Sequence, residues 1–354
     1  MLAHYTSIDA LEGIVRSNEL WFSHPLAMND SEELRFGMQL GASVFRGSQA
    51  LAVVCKTPQR HGLLLSAFEN AFNHFWNAHA FDTYVFCTSE HEKNDNNGRL
   101  SMWRGYGGNG TGSAIVLDTA KLNVYDESPL ILDRVTYATR DERTAWVQSR
   151  TALLAETLQK LQPPDEQLHI PAIAFLERLK RFSLFTKDRG FHEENEWRAL
   201  YVRERDTQKQ LDGMFGYATG RNGMLPRLKL KIEPLEGSFA KTFSLSELVY
   251  RIILGPSQSG PLALMTVRRM LGQLGKAGLA EQVVASTIPY TTARFRPEAV
   301  QRGFRIVAGR DPRSGHTKDC FQGDSPSPRD PPCPFSGRPK AYASMQSSET
   351  SDTV

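Results

Sequence analysis

The amino-acid sequence predicts an α+β fold, and three observations carry that expectation. Apolar runs of strand length are more numerous than a helical bundle needs. They do not alternate strictly with helical stretches, as a doubly wound sheet would require. The chain has 354 residues, enough to bury a full hydrophobic core.

The elements follow in chain order. "LAHYTS" (2–7) reads as a short strand, with Ser7 as the N-cap of the helix "IDALEGIVRS", whose Leu11, Ile14 and Val15 share one face. "LWFSHP" (20–25) is a second short strand. A helix over 28–45 opens at Asn29 or Asp30, with Glu32 and Glu33 favourably placed in its first turn. Leu64, Phe68, Phe72, Phe75 and Trp76 recur at helical spacing over 61–79, the mark of a core-facing helix. "TYVFCTS" (83–89) is a strand, "EHEKNDNNG" a polar loop, "RLSMWRGYG" a short helix and "GSAIVLD" (112–118) a buried strand. Helices over 140–161 and 172–186 are separated by Pro163, Pro164 and Pro171. Strands follow at 195–202, 227–233 and 249–254. Pro261 opens a helix and 281–287 is a last strand. There is no internal repeat.

Residues 311–354 contain no Leu, Ile or Trp and are rich in Pro, Ser, Asp and Arg. Such a segment buries too little apolar surface to offset its ordering entropy, so it reads as a disordered tail behind a single domain of 1–310. A zinc module on His316, Cys320 and Cys333 has too few correctly spaced ligands.

Composition excludes several classes. A formal net charge of +3 gives no bulk field for nucleic acid or an anionic membrane. The four cysteines form no C-x-x-C pair, which argues against structural zinc or a disulfide scaffold and suits a reducing cytoplasm. The stretch "MLAHYTSIDALEG" has no basic segment leading into an apolar core, so it does not read as a secretory leader, and no apolar run approaches membrane-spanning length. "GYGGNG" (105–110) matches G-x-G-x-x-G literally, but a helix precedes it and a strand follows, the reverse of a dinucleotide fingerprint. It reads as a loop whose glycines permit positive φ. His74 and His79 lie five apart and share no helical face.

The candidate site residues are of four kinds. His4 and Thr6 share one face of the first strand, while Tyr5 points to the core. Trp103 and Tyr106 are neighbours on a short helix. Trp103 suits core packing, and Tyr106, flanked by glycine, suits the mouth of a cleft. In "FHEENEWRALYVRE" (191–204), Glu194 and Glu196 would share one strand face and Trp197 the other. Arg198 falls on the glutamate face, where it could pair with one carboxylate and hold it ionised. Paired carboxylates at the entrance of an apolar strand mark either the floor of a site or an edge that discourages aggregation.

Three blocks, 4–32, 102–112 and 187–198, carry the patterns "HYTS…L…I…S…LWFS…P…ND…E", "MW…Y…G" and "K…E-x-E-W-R". Their joint occurrence resembles an uncharacterised bacterial domain family, over most of 1–260. That family in turn looks like divergent ADP-ribosyltransferases of the diphtheria-toxin type. The resemblance implies a split mixed sheet with flanking and inserted helices, and NAD as substrate without a metal. It also implies a macromolecular acceptor, protein or nucleic acid, and a role as a toxin or in defence against phage, while the expectations of no membrane partner and a cytoplasmic location come from charge, hydropathy and cysteine usage.

By the same resemblance, Glu196 would be the catalytic glutamate and Glu194 its partner. Glu194 would orient the acceptor or act as general base. His4 would donate to a ribose hydroxyl, with Thr6 and Arg198 beside the cofactor. Tyr106, with Tyr84 as rival, would stack on nicotinamide. A carboxylate near the ribose 2′-hydroxyl would stabilise an oxocarbenium-like transition state. The two alternatives are an NAD hydrolase with water as acceptor and a non-catalytic nucleotide- or protein-binding module. The expectation for stability is that Glu196, as an unpaired surface-facing carboxylate, contributes little.

Overall fold

The first three elements form where their sequence dictates. In a computed structural model, β1 (Leu2–Thr6) leads into α1 (Ile8–Ser17) through Ser7, whose hydroxyl accepts from the Ala10 amide. The helix ends at Asn18 in the left-handed region, a conformation asparagine tolerates, and the chain turns into β2 (Glu19–Ser23). The structure describes residues 1–28, 32–122, 128–220, 223–233 and 244–290. The predicted caps Asn29 and Asp30, the domain end near 310 and the tail 311–354 all lie outside the described residues.

A helical block follows: α2 (Glu32–Arg46), α3 (Gln49–Cys55) and α4 (Pro58–His74). The helix expected over 61–79 stops at His74 and continues as one wider turn, Phe75–His79. Then come β3 (Thr83–Glu90), α5 (Leu100–Gly105), β4 (Ser113–Leu117), β5 (Leu130–Arg134), β6 (Thr136–Ala138), α6 (Arg140–Leu161), α7 (His169–Leu184), β7 (Thr186–Asp188) and β8 (Glu196–Val202). The remaining elements are β9 (Phe215–Gly220), β10 (Gly223–Lys231), α8 (Leu245–Leu248), β11 (Val249–Leu254), α9 (Pro261–Gln273), α10 (Ala277–Glu281) and β12 (Val283–Ala285).

Among the described residues ten strands form one mixed sheet, open at both ends, in the order β12-β11-β4-β1-β3-β2-β10-β9, with β8 and β5 branching from β3. β6 and β7 form a separate parallel ribbon. The branch arises because β3 has two unlike edges. On one edge it pairs with β8 continuously, from Thr83↔Val202 to Ser89↔Glu196. On the other it meets β1 only at Leu2↔Glu90 and Ala3↔Ser89, and β2 only at Ser23↔Val85. Between those contacts the sheet is split.

Strand alternation sorts the core into clusters. Phe22, Phe86, Ile115, Tyr201 and Leu228 face α1, α8, α9 and α10. On the opposite face Tyr5, Ala114 and Ile253 pack against Met102 and Trp103 of α5. Val85, Leu200 and Val202 pack against the layer of α2, α3, α4, α6 and α7. The α5 cluster and the helical layer are separate clusters, and residues of both, Tyr5, Met102 and Val85, line a cavity at the split.

Candidate functional site

The open edge of β3 is where the site forms. His4 pairs through its backbone with Ile115 of β4, on the side away from β3. Its side chain reaches back, and Nδ1 lies 3.0 Å from the Cys87 carbonyl oxygen. A carbonyl only accepts, so Nδ1 carries the proton. Burial lowers the His4 pKa against the opposing pull of that bond, so the ring is neutral and Nε2 is an acceptor. The expected donation from His4 to a ribose hydroxyl is therefore reversed: the free nitrogen can receive a hydroxyl proton, not supply one.

The cavity over the split has a volume of about 530 Å³, and His4, Tyr106, Lys187, Glu194, Glu196 and Arg198 are among its walls. This lies within the range of about 300–1,000 Å³ typical of small-ligand sites. Residues as far apart in sequence as His4 and Arg198 converge because β3 pairs with β1 at one end and with β8 along its length.

The two glutamates do not sit together for the reason the sequence suggested. β8 starts at Glu196, while Glu194 ends a tight turn, Arg189–Glu194. Asn195 between them is left-handed, with φ 42°. The strand period is broken, and a cation brings the carboxylates together instead. Lys187 Nζ donates to Glu194 Oε2 at 2.9 Å and to Glu196 Oε2 at 3.4 Å. Lys187 is itself buried, and its ammonium lies 4.6 Å from the centre of the Phe191 ring.

Glu196 is not the unpaired surface carboxylate expected; its side chain is only 6% exposed. Arg198 grips it in a fork, Nε to Oε1 at 2.8 Å and Nη2 to Oε2 at 3.1 Å, and Nη1 donates to the Leu184 carbonyl at 2.6 Å. Burial pushes the Glu196 carboxyl up, but Arg198, Lys187 and the Cys87 thiol together outweigh it and hold the pKa below the ordinary 4.5. Burial and the Glu196 charge in turn push the Cys87 thiol well above its usual range. The expected pairing of Arg198 with a glutamate is present. That pairing occupies Arg198 with Glu196 rather than leaving it for a cofactor.

Glu194 is placed differently. Its side chain is 13% exposed, and among the described residues each of its oxygens has one partner: Lys187 on Oε2 and the Tyr106 hydroxyl, donating at 2.9 Å, on Oε1. A carboxylate offers about four lone-pair sites, so Glu194 keeps acceptor capacity facing the cavity. Tyr106 is 38% exposed at the end of α5, and burial raises its hydroxyl pKa further, keeping it a donor. Its rival Tyr84 is buried in the core on the other face of the sheet, among Tyr201 and Phe215. Thr6 ends β1 opposite Ser113 and is not among the cavity's lining residues.

The glycine loop after α5 is packed rather than free. A side chain at Gly107 would meet Trp103 at 2.5 Å, and one at Gly112 would meet the Thr6 carbonyl at 2.2 Å. Gly108 and Gly110 adopt the positive φ that glycine permits.

Sequence reasoning missed three residues of the cavity. Lys187 stands at the head of the "K…E-x-E-W-R" block but was given no role. Cys87 was read as an ordinary strand residue. Trp21, 42% exposed, alternates with the buried Leu20 and Phe22, and a tryptophan at the odd position of a short alternating strand is the signal the sequence offers. Its indole N–H donates to Glu19 at 2.8 Å, and Lys229 Nζ lies 4.6 Å from its ring centre.

Among the described residues, no group of three or more His, Cys, Asp or Glu could hold a metal ion, and no helix is long and apolar enough to cross a membrane. Residues 102–199, from α5 into β8, match the family model described as a protein of unknown function (DUF2971). No curated protein and no solved structure gives a match.

Proposed function

We propose that the cavity at the sheet split takes NAD and that the chain cleaves its nicotinamide–ribose bond, passing ADP-ribose to a macromolecular acceptor. One observation carries this reading: His4, Tyr106, Glu194 and Glu196, far apart in sequence, line one cavity beside an opened sheet. In the reaction the C1′–N bond breaks and its electron pair leaves with neutral nicotinamide. The ribose carries oxocarbenium character until the acceptor oxygen or nitrogen bonds to C1′ and gives up its proton.

The roles follow from the pairing already described. Glu194 has free lone pairs and faces the cavity, so it is the carboxylate that meets the ribose 2′-hydroxyl and the developing positive charge. Glu196 anchors Lys187, and Lys187 and the Tyr106 hydroxyl hold Glu194 in one orientation. His4 Nε2 accepts from a hydroxyl of the bound ligand. Tyr106 and Trp21 offer aromatic surface at the cavity wall. This shifts the leading role from Glu196 to Glu194.

A second reading is favoured by a specific feature. Among the described residues, the charges of Glu194 and Glu196 are matched by those of Lys187 and Arg198. That suits a non-catalytic nucleotide- or protein-binding module. Incubation of the full chain with NAD labelled in the adenosine half separates the readings. Nicotinamide release with label on a macromolecule supports the transferase, and release without attachment supports a hydrolase. No release, with saturable NAD binding, supports the module. Neither release nor binding overturns the nucleotide reading altogether.

A further inference from the structure

Adjacent residues of β7 serve two different cavities. Lys187 lines the one described above, while Thr186 lines a second of about 780 Å³ formed with α6 and α7. Five arginines line the second cavity: Arg134, Arg143, Arg150, Arg178 and Arg181. Three have acidic partners, Arg134 with Glu90 at 3.2 Å, Arg143 with Asp188 at 3.5 Å and Arg181 with Asp133 at 2.7 Å. Glu142 also lines the cavity but pairs with Arg189 at 2.7 Å. Arg150 and Arg178 have no acidic partner among the described residues, so the cavity carries surplus positive charge.

Nε of Arg143 and Nε of Arg150 are both buried without an acceptor. Both N–H groups are shut off even from a water molecule, so what the cavity offers an occupant is the more exposed parts of Arg150 and Arg178. The Arg150 guanidinium is fixed over the Trp146 ring at 5.3 Å, and Trp146 is stacked on Phe182 with centres 4.1 Å apart. Rigid guanidinium forks match the oxygens of a phosphate. Beyond them an apolar groove of about 410 Å³ shares Arg150 and Arg178 and is walled by Leu153, Leu161 and Ile170, of which Leu161 is 73% exposed.

We infer that this cavity binds a phosphate-bearing anion through Arg150 and Arg178. Two sources share that chemistry: a free oligophosphate, or a lipid phosphate headgroup whose acyl chain lies along Leu153 and Leu161. The site is separate from the sheet split and does not depend on the activity proposed there.

The test titrates inorganic pyrophosphate into the full chain by calorimetry at low ionic strength. In parallel, the chain is sedimented with phosphatidylcholine vesicles with and without phosphatidic acid. Saturable binding of pyrophosphate, of phosphatidic-acid vesicles or of both is expected, weakened at least about tenfold by Arg150→Gln and by Arg178→Gln. Arg16→Gln, on α1, should change nothing. Arg178 is exposed, so its variant should keep the wild-type melting curve and remain decisive even if Arg150→Gln destabilises the chain. Vesicle binding lost on Leu161→Asp assigns the lipid headgroup, and pyrophosphate binding alone assigns the free oligophosphate. Binding of neither probe, or binding unchanged in Arg178→Gln, overturns the site.

Discussion

The two edges of β3 behave as different materials. Along β8 the ladder is complete, and the side chains there fill two buried cores. Along β1 and β2 it closes only at its ends, and the gap is filled by side-chain chemistry: a histidine on a carbonyl, a thiol on a carboxylate, two cations on two carboxylates. Backbone pairing leaves no room for a ligand. Where it fails, the fold needs polar side chains to satisfy what the ladder does not, and those side chains face a cavity. Structural necessity and ligand chemistry thus draw on the same residues, which is why Glu196 is read better as an anchor than as a free catalytic group.

The comparison breaks most sharply at Arg198. Arg198→Ala leaves Glu196 buried without its fork and should cost about 3–5 kcal/mol in urea unfolding. A loss below about 1 kcal/mol would mean that the split tolerates an unpaired charge and is looser than described. Glu196→Gln keeps size and some hydrogen bonds but removes the charge, and should cost about 1.5–3 kcal/mol by the same measurement. This is the opposite of the small effect expected from sequence.

Acid should probe both sides of β3. Burial holds His4, His24 and His91 below the ordinary 6.5. Depressed folded-state pKa values mean that the unfolded chain binds the protons first. Stability is then full above pH 6.5 and declines as pH falls below it. Glu196, also depressed, adds its loss only as pH drops through its folded value, below 4.5. The melting temperature should therefore begin to fall below about pH 6.5, with a shallower fall in His24→Gln, which lacks the ring that accepts from the Leu26 amide and bonds the Ala80 carbonyl. A melting temperature constant down to pH 4.5 would contradict this. The smallest effect is expected of Tyr106→Phe, at most about 1 kcal/mol in stability because only one hydrogen bond of a 38% exposed residue is lost. Its NAD turnover should fall if the hydroxyl orients Glu194, and unchanged turnover would remove Tyr106 from the site.

Much of the molecule was legible in sequence where a local rule sufficed. Ser7, the helical spacing of Leu11, Ile14 and Val15, and the apolar run of β4 placed the N-terminal half of the split. What failed was non-local. β5 is defined by its pairing with β8, and β6 and β7, three residues each, are too short to show a period. Without β7, Lys187 had no position, and the convergence of the carboxylates was credited to strand alternation. Asn195 held the missing signal, because asparagine is among the few residues that enter the left-handed region readily and so can end a turn between two glutamates. The burial of Glu196 could not be read from a strand's first residue. It depends on Arg198 and on a lysine from another sheet.

The central claim is that Glu194, held by Tyr106 and Lys187 at the split, is the carboxylate that faces the breaking bond. Nicotinamide release from NAD by wild type and by Glu194→Gln, with melting curves alongside, tests it most directly. The account predicts release reduced by about 10²–10³, with a melting temperature close to wild type because Glu194 lies in a turn and its two partners remain paired or partly exposed. Wild-type release by Glu194→Gln would contradict it and return the site to the role of a structural polar network.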